Sequence, residues 1–250
     1  MRYEDKVVMI TGVGRGIGKS LARSFAEEGA NLSLLELDPE TGQKTLEMVE
    51  SLGACAELFV GDVSDAERVR EMVSDTVEKW GTVDVLVNNA GIQAPKEPFL
   101  ETSLQTWEKT LSVNLTGFYL MTREVAEVMK DDGGGCVVNI CSICGKVFFQ
   151  DNLPYDVSKG AVRSLTGAAA LDLAQYDIRV NGVAPGCVDT ELNEETLSDP
   201  GAEEEIASDI PLGRIAQPED VSRAVLFLAS PDAAYITGAI IPVDGGYTLK

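Results

Sequence analysis

Residues 6–30, KVVMITGVGRGIGKSLARSFAEEGA, decide the fold of this chain. An apolar, strand-like run ends at Thr11, a glycine-rich turn follows, and a helix-like segment begins after Gly18. Glycines in such a turn let the backbone approach a pyrophosphate, and the N-terminus of the next helix offers unpaired N–H groups. The spacing is G-x-x-x-G-x-G rather than G-x-G-x-x-G, and a tight strand-to-helix turn alone would also explain it. The stretch predicts a βαβ unit that opens with a candidate phosphate-binding loop.

Short apolar runs and amphipathic segments alternate along the rest of the chain. Seven runs have the character of strands: KVVMIT, NLSLLE, AELFVG, VDVLVNN, GCVVNIC, IRVNGVAP and AIIPVD. This alternation is typical of α/β proteins, and we predict one domain over residues 1–250, with a seven-stranded parallel sheet flanked by helices on both faces. Apolar residues at helical spacing predict a helix over residues 104–130. Residues 189–211 are acidic and lack strand character, so we expect a flexible helical flap there.

The composition excludes several classes of function. The chain has no histidine, so Ser-His-Asp, Cys-His and H-E-x-x-H mechanisms are absent, and a general base must be Tyr, Lys, Asp, Glu or Cys. A formal net charge of −21 argues against nucleic acids and anionic membranes as partners. The N-terminus lacks the pattern of a signal peptide and no apolar run is long enough for a bilayer, so we expect a cytoplasmic protein.

The five cysteines are scattered, which does not resemble a disulfide framework and suits a reducing compartment. Cys141 and Cys144 form a C-x-x-C motif, but a structural zinc site would need two further suitable ligands. We therefore expect no metal site and interpret both thiols as small buried residues around Ser142.

Tyr155 and Lys159 are four residues apart in the segment LPYDVSKGAV, and Tyr155 follows Ser142 by thirteen residues. One helical turn would place both side chains on the same face, with the ammonium beside the phenol. A nearby cation favours the phenolate, so Lys159 and a bound nicotinamide cation together are expected to bring the pKa of Tyr155 towards neutrality. This combination predicts hydride transfer to or from an alcohol.

Glu36 ends the second predicted strand, eighteen residues beyond Gly18. An acidic group at this place can hold the ribose hydroxyls of NAD, whereas the 2′-phosphate of NADP would meet like charge. Arg15, within the glycine-rich loop, is the counterargument, because its guanidinium could reach a phosphate. We expect NAD as the cofactor, with NADP less favoured.

Between residues 6 and 247 the chain resembles the short-chain dehydrogenase/reductase family. The family's T-G-x-x-x-G-x-G loop matches residues 11–18, its N-N-A-G motif matches residues 88–91, and its Y-x-x-x-K motif matches residues 155–159. The resemblance implies a Rossmann fold with the catalytic residues Asn114, Ser142, Tyr155 and Lys159. The cofactor-binding residues that it implies are Gly12, Arg15, Gly16, Ile17, Gly18, Glu36, Asp62, Val63, Asn89, Ala90, Gly91, Tyr155, Lys159, Val188 and Thr190.

The resemblance also implies a role for each catalytic residue. Tyr155 exchanges a proton with the substrate hydroxyl, and Ser142 holds the substrate oxygen, so both contact substrate. Lys159 lowers the tyrosine pKa and binds the nicotinamide ribose. Asn114 holds a water that relays the proton outward.

The leading hypothesis for the reaction is NAD-dependent oxidation of a small secondary alcohol, polyol or sugar, similar to the glucose 1-dehydrogenase-like members of the family. Polar Gln93, Gln150 and Asn152 are candidates for binding substrate hydroxyls, and Phe148 and Phe149 are candidates for an apolar wall.

Two other functions remain open at this stage. One is a 3-oxoacyl-[acyl-carrier-protein] reductase that uses NADPH, although so acidic a chain is poorly suited to docking an acidic carrier protein. The other is a non-catalytic NAD-binding sensor, which the fold alone would permit. Residues 104–130, 153–175 and 239–249 match the segments through which family members form homotetramers, and we expect a homotetramer here.

Overall fold

Seven parallel strands form one sheet in the computed structural model, which describes residues 1–199 and 201–249. The strands are β1 (Val7–Thr11), β2 (Asn31–Glu36), β3 (Ala56–Val60), β4 (Val85–Asn88), β5 (Gly135–Ile140), β6 (Ile178–Pro185) and β7 (Ile240–Val243). They lie in the order β3-β2-β1-β4-β5-β6-β7, and each neighbouring pair is parallel. The predicted seven-stranded parallel sheet is confirmed. Pro200, in the predicted flap, and Lys250, at the end of the predicted domain, lie outside the described residues.

Helices cover both faces of this sheet. They are α1 (Gly16–Glu27), α2 (Pro39–Ser51), α3 (Ala66–Trp80), α4 (Leu104–Leu111), α5 (Gly117–Asp131), α6 (Leu153–Leu173), α7 (Glu194–Leu197), α8 (Ala202–Asp209) and α9 (Pro218–Ala229). Within β1, Val8 and Ile10 pack in the core cluster that contains residues of α1, α2 and α9, whereas Met9 packs in the cluster that contains residues of α3, α5 and α6. Alternation of side chains along a strand thus supplies two apolar layers, which confirms the predicted α/β architecture. No helix in the described part of the chain has the length and apolarity to cross a bilayer.

The strand order reverses direction at β1, which lies between β2 and β4. The chain moves outward from β1 to β3 and then continues from β4 on the other side of β1. In parallel α/β sheets a crevice opens at such a switch point, beyond the carboxyl ends of the strands. Here the glycine-rich loop after β1 and Asn89 after β4 reach that edge together.

The helix predicted over residues 104–130 is interrupted. Ser112–Thr116 forms a π-helical turn between α4 and α5. π-helical turns insert an extra residue and occur frequently at functional sites, and the apolar periodicity that predicted one continuous helix carries no signal for them. Gly117, the next residue, packs closely against Val63, since a Cβ at position 117 would lie 2.7 Å from Val63 Cγ2.

The predicted flap is helical in the part that the structure describes. A 3₁₀ turn at Glu191–Asn193 leads into α7, and α8 follows. Its flexibility stays a prediction.

Candidate active site

The glycine-rich loop is fastened to the end of β4. Thr11 Oγ1 accepts hydrogen bonds from the backbone N–H groups of Asn89 and Ala90, both at 3.0 Å. The Asn89 side-chain amide donates to the carbonyl oxygens of Thr11 and Gly12, at 3.0 and 2.9 Å. Gly12 has φ +69°, and a Cβ there would lie 2.8 Å from Ala90 Cα, while a Cβ on Gly18 would lie 1.9 Å from the Gly12 carbonyl oxygen. Both positions require glycine, for conformation at the first and for space at the second.

Helix α1 begins at Gly16 without a side chain that caps its N-terminus. Arg15, the preceding residue, is extended with φ −157° and forms no capping hydrogen bond, and its side chain is exposed. The first backbone N–H groups of a helix have no partner within it, so this end attracts an anion. With the close-packed glycines, the loop has the geometry and the dipole to hold a pyrophosphate.

Glu36 lies at the carboxyl end of β2 beside this loop. Its Oε2 accepts a hydrogen bond from the Gly14 N–H at 2.7 Å, and its Oε1 accepts from the N–H groups of Leu37 and Asp38 at 2.9 and 3.2 Å. A carboxylate offers about four acceptor positions, so one remains for a ligand hydroxyl. The same carboxylate therefore orders the loop and presents negative charge next to it.

Asp62 lies just beyond the carboxyl end of β3. Its Oδ1 accepts from the N–H and the hydroxyl of Ser64, at 2.9 and 2.7 Å, and Lys109 Nζ is 3.5 Å from its Oδ2. Burial opposes ionisation of Asp62, but the Ser64 hydrogen bonds and the Lys109 charge hold the pKa of this carboxyl below its ordinary value. Asp62 is thus an ionised acceptor fixed at the rim of the crevice.

A cleft of about 620 Å³ runs along this edge of the sheet. The predicted catalytic and cofactor-binding residues line it, from Gly12 and Glu36 at one end to Ser142 and Tyr155 at the other, with the exception of Asn114. Asn114 is 0% exposed and lies behind the wall. The tertiary structure therefore brings together motifs that are far apart in the sequence.

Ser142 and Tyr155 meet on the wall formed by the end of β5 and the first turn of α6. Ser142 Oγ accepts a hydrogen bond from the Cys144 N–H at 3.1 Å, and Ser142 and Tyr155 both line the cleft. Burial raises the pKa of the Tyr155 phenol well above its ordinary value; Cys144 and Asp156 add to this, and the nearby Ser142 hydroxyl opposes it. In the protein alone Tyr155 is therefore a protonated phenol at neutral pH.

Lys159 is buried behind Tyr155, with 4% of its surface exposed. Its Nζ donates to the Ile140 carbonyl oxygen at 2.9 Å and lies 5.7 Å from the centre of the Tyr155 ring. Burial lowers the pKa of Lys159 to about 8. The sequence predicted that Lys159 and a bound nicotinamide cation together lower the Tyr155 pKa. In the protein alone burial raises this pKa, so the prediction depends on the bound nicotinamide cation.

Asn114 sits inside the π-helical turn and fastens it to the loop after β4. Its Oδ1 accepts from the Ile92 N–H at 2.8 Å, and its amide donates to the Ile92 carbonyl at 2.9 Å and to Ser158 Oγ at 3.2 Å. A Cβ on Gly91 would lie 3.3 Å from Asn114 Oδ1 and 3.8 Å from Lys159 Nζ. Asn114 and Lys159 thus flank the same point of the backbone, which supports their shared involvement in the site.

The wall beyond Ser142 mixes amides and aromatic rings. Gln93, Gln150, Asn152 and Phe149 line the cleft as predicted. Phe148 is 75% exposed and is not among the residues that line the cleft, so only one of the two phenylalanines contributes to this wall.

Several lining residues escaped prediction. Tyr247 faces Phe149 with a ring-centre distance of 6.5 Å and an interplanar angle of 29°. Lys109, the partner of Asp62, reaches the other end of the cleft from α4. Neither residue belongs to a motif, and sequence spacing carries no signal for such contacts.

The known proteins that this chain is similar to are named as dehydrogenases and reductases. A family model described as enoyl-(acyl carrier protein) reductase matches residues 12–248. The chain is 38% identical over 249 residues to a cyclopentanol dehydrogenase of Comamonas sp. (strain NCIMB 9872), covering 100% of this chain and 99% of the relative. It is 37% identical over 247 residues to an L-rhamnose 1-dehydrogenase (NAD(P)(+)) of Azotobacter vinelandii (strain DJ / ATCC BAA-1303), covering 97% of this chain and 96% of the relative. The crystal structure of levodione reductase matches with a TM-score of 0.95 and 34% identity, covering 99% of each chain.

Proposed function

The chain belongs to the short-chain dehydrogenase/reductase family and is an NAD(P)-dependent oxidoreductase of CH–OH groups, and from this premise we propose that it uses NAD to oxidise a small, neutral secondary alcohol, polyol or sugar. The observation that carries the proposal is the convergence of Ser142, Tyr155 and buried Lys159 on one wall of the cleft whose other end holds Glu36. Binding alone does not require a buried lysine behind a tyrosine and a serine, so this observation speaks against a non-catalytic sensor.

The residues that would hold the dinucleotide are those of the glycine-rich loop and the cleft wall described above. The uncapped start of α1 and the glycine backbone would bind the pyrophosphate. Glu36 would accept from the adenosine ribose, Asp62 and Val63 would border the adenine, and Val188 and Thr190 would border the carboxamide. When bound, the nicotinamide ring supplies the position that takes or gives the hydride.

Tyr155 would exchange the proton with the substrate oxygen. Because Ser142 Oγ already accepts from the Cys144 N–H, its own proton is available to donate to that oxygen. Lys159 is held by the Ile140 carbonyl at a fixed place behind the phenol, where its charge favours the phenolate. Asn114 would hold the loop at Gly91 next to Lys159 and would also hold the water of a proton relay.

The preference for NAD rests on charge at the ribose end. Glu36 is fixed by three backbone N–H donors, and Asp38 follows two residues later. A 2′-phosphate would be placed against these carboxylates, with the exposed guanidinium of Arg15 as the opposing charge of the loop.

The substrate class rests on the far wall of the cleft. Phe149 and Tyr247 provide an aromatic face, and Gln93 and Asn152 provide amide groups. An aromatic face with amides suits a neutral ring that carries hydroxyl groups. The 3-oxoacyl-[acyl-carrier-protein] reductase is the second candidate, because the matching family model carries an acyl-carrier-protein description.

We also propose that residues 189–211 close over the substrate. Leu192 and Thr196 from the first part of this flap, and Ile206 and Ile210 from the second, line the cleft. Apolar contacts of a bound substrate with these side chains would stabilise a closed position.

The assembly we propose is a cytoplasmic homotetramer. The segments 104–130 and 153–175 expose the apolar side chains Leu104, Tyr119 and Leu171, at 70%, 49% and 80%. Size-exclusion chromatography with light scattering should give a tetramer, and a stable monomer would overturn this proposal.

Nicotinamide reduction measured with NAD and with NADP, across polyols, sugars, secondary alcohols and 3-hydroxyacyl thioesters, tests the proposed function. Tyr155→Phe is the blank, and Tyr235→Phe, at a fully exposed tyrosine, is the matched control. We expect turnover with NAD on a neutral alcohol, polyol or sugar, lost by roughly 1,000-fold in Tyr155→Phe and kept in the control. Turnover with NADP that is confined to acyl thioesters would favour the carrier-protein reductase instead.

A further inference from the structure

Asp156 is a buried carboxylate directly beside Tyr155. It lies in the first turn of α6 and is 4% exposed. Among the residues that the structure describes, no lysine or arginine forms an ion pair with it. A buried carboxylate without a cation must be compensated by hydrogen-bond donors, so its donors show what it holds in place.

Two donors from the substrate side of the cleft converge on Asp156. The Phe149 backbone N–H donates to Oδ2 at 2.9 Å, and the Asn152 amide donates to Oδ1 at 2.6 Å. Asn152 is itself 4% exposed, and its Oδ1 accepts from the Gln93 amide at 3.1 Å. The carboxylate therefore ties the loop after β5 to α6 and, through Asn152, to the loop after β4.

These hydrogen bonds of Asp156 affect the wall of the cleft on the substrate side. Holding the Phe149 backbone also places the point from which its ring extends to stack on Tyr247. The same helix turn carries Tyr155, so one charged group links the aromatic wall, the amide wall and the proton-exchanging phenol. Charge-assisted hydrogen bonds are stronger than neutral ones, which makes such a link stiff.

We propose that Asp156 is a positioning residue that sets the distance between the substrate wall, formed by Phe149 and Asn152, and the Tyr155 hydroxyl, and thereby selects substrates that fill this gap. The proposal rests on the proposed function, because it assumes that a substrate lies between wall and phenol. Asp156 is not among the residues that line the cleft, so it acts through the loop that it holds.

Asp156→Asn is the direct test, because it keeps the size of the side chain and removes its charge and one acceptor. We expect the KM for the alcohol to rise about tenfold, as for loss of a charged hydrogen bond, with the dissociation constant of NAD unchanged within about twofold. The acid limb of the kcat profile should move to lower pH, because the Asp156 charge helps to raise the pKa of Tyr155. The titratable group that couples to this pair is Cys144, on the turn after β5. The nearby charged group is Lys159, on α6, whose Nζ lies 5.7 Å from the centre of the Tyr155 ring.

Asn152→Ala separates the two effects, since it cuts the link to the amide wall and leaves the charge of Asp156 in place. It should raise the KM without moving the pH limb. Asp151→Asn is the matched control, because it makes the same chemical change in the same loop at a residue whose backbone carbonyl, not its carboxylate, accepts from the Glu97 N–H at 3.0 Å. It should leave the KM and the pH limb unchanged.

A folded Asp156→Asn protein with the parental KM and pH limb would overturn the proposal, as would a NAD dissociation constant that rises as much as the KM. If Asp156→Asn does not fold, the KM of Asn152→Ala decides in the same way. Hydrogen exchange at the Phe149 amide, measured without substrate, does not depend on activity. Faster exchange in Asp156→Asn would support the role of Asp156 in holding this loop even if the enzyme oxidises no alcohol. Unchanged exchange would refute that role.

Discussion

Replacing Gly18 by alanine should cripple dinucleotide binding through a contact that is purely steric. The added Cβ would lie 1.9 Å from the Gly12 carbonyl oxygen and 2.6 Å from the Asn89 amide nitrogen, whereas ordinary contact begins at 3.4 Å. The carbonyl must therefore retreat by about 1.5 Å, and it belongs to the loop that faces the pyrophosphate. Such overpacking costs about 1–3 kcal/mol of stability. A misplacement of about 1 Å in a site costs on the order of 100-fold, so the dissociation constant for the dinucleotide should rise by about that factor.

Calorimetric titration of NAD, together with urea unfolding, measures both quantities on the same protein. Gly167→Ala is the matched control, because Gly167 is an exposed glycine in α6 where a Cβ would meet nothing within 4 Å. Alanine favours a helix over glycine by roughly 0.5–1 kcal/mol, so the control should be slightly stabilised and bind NAD as the parent does. Parental NAD affinity in Gly18→Ala would refute the view that this close contact shapes the phosphate loop.

Three further predictions concern the ribose end, the buried lysine and a distant hydrogen bond. Glu36→Ser removes the carboxylate at the ribose end, so NAD should bind about tenfold more weakly and the preference over NADP should narrow, as titrations with both dinucleotides would reveal. Burial lowers the pKa of Lys159 to about 8 from 10.5, so the cost of the buried ammonium is full below pH 8 and is relieved as the pH rises towards 10.5. Lys159→Met should therefore gain most stability over the parent below pH 8 and progressively less above it; a gain that does not change with pH in urea unfolding would contradict this. The Tyr3 hydroxyl donates to the Leu226 carbonyl in the core, and Tyr3→Phe should lose about 1–2 kcal/mol of stability with turnover unchanged.

The sheet was predictable because parallel strands buried on both faces leave a strong pattern. Runs such as VVMIT and VLVN are apolar throughout, and the amphipathic segments between them have helical spacing. The π-helical interruption at Ser112–Thr116 was not predictable, because apolar periodicity continues across it. Asn114, within this turn, accepts a hydrogen bond from the Ile92 N–H, which is distant in sequence.

Tyr155 and Lys159 also follow from sequence spacing, because local geometry alone puts them on one face of α6. Asn114 and Ser142 were instead implied by the resemblance to the short-chain dehydrogenase/reductase family. The protonation of Tyr155 does not follow from spacing. Burial, which depends on every segment that covers the phenol, raises its pKa more than the nearby Ser142 hydroxyl lowers it.

The sequence by itself determined the parallel α/β sheet and predicted the phosphate loop and the Tyr155–Lys159 pair, because apolar periodicity and the spacing within one turn or loop are local properties of the chain. Only the tertiary structure decided which groups meet in and around the cleft: that Tyr247 stacks on Phe149, that Lys109 pairs with Asp62, and that Gln93 donates to Asn152. Contacts of this kind join segments that are separated along the chain, and their energies depend on burial and distance, which arise only once the sheet and its helices have come together.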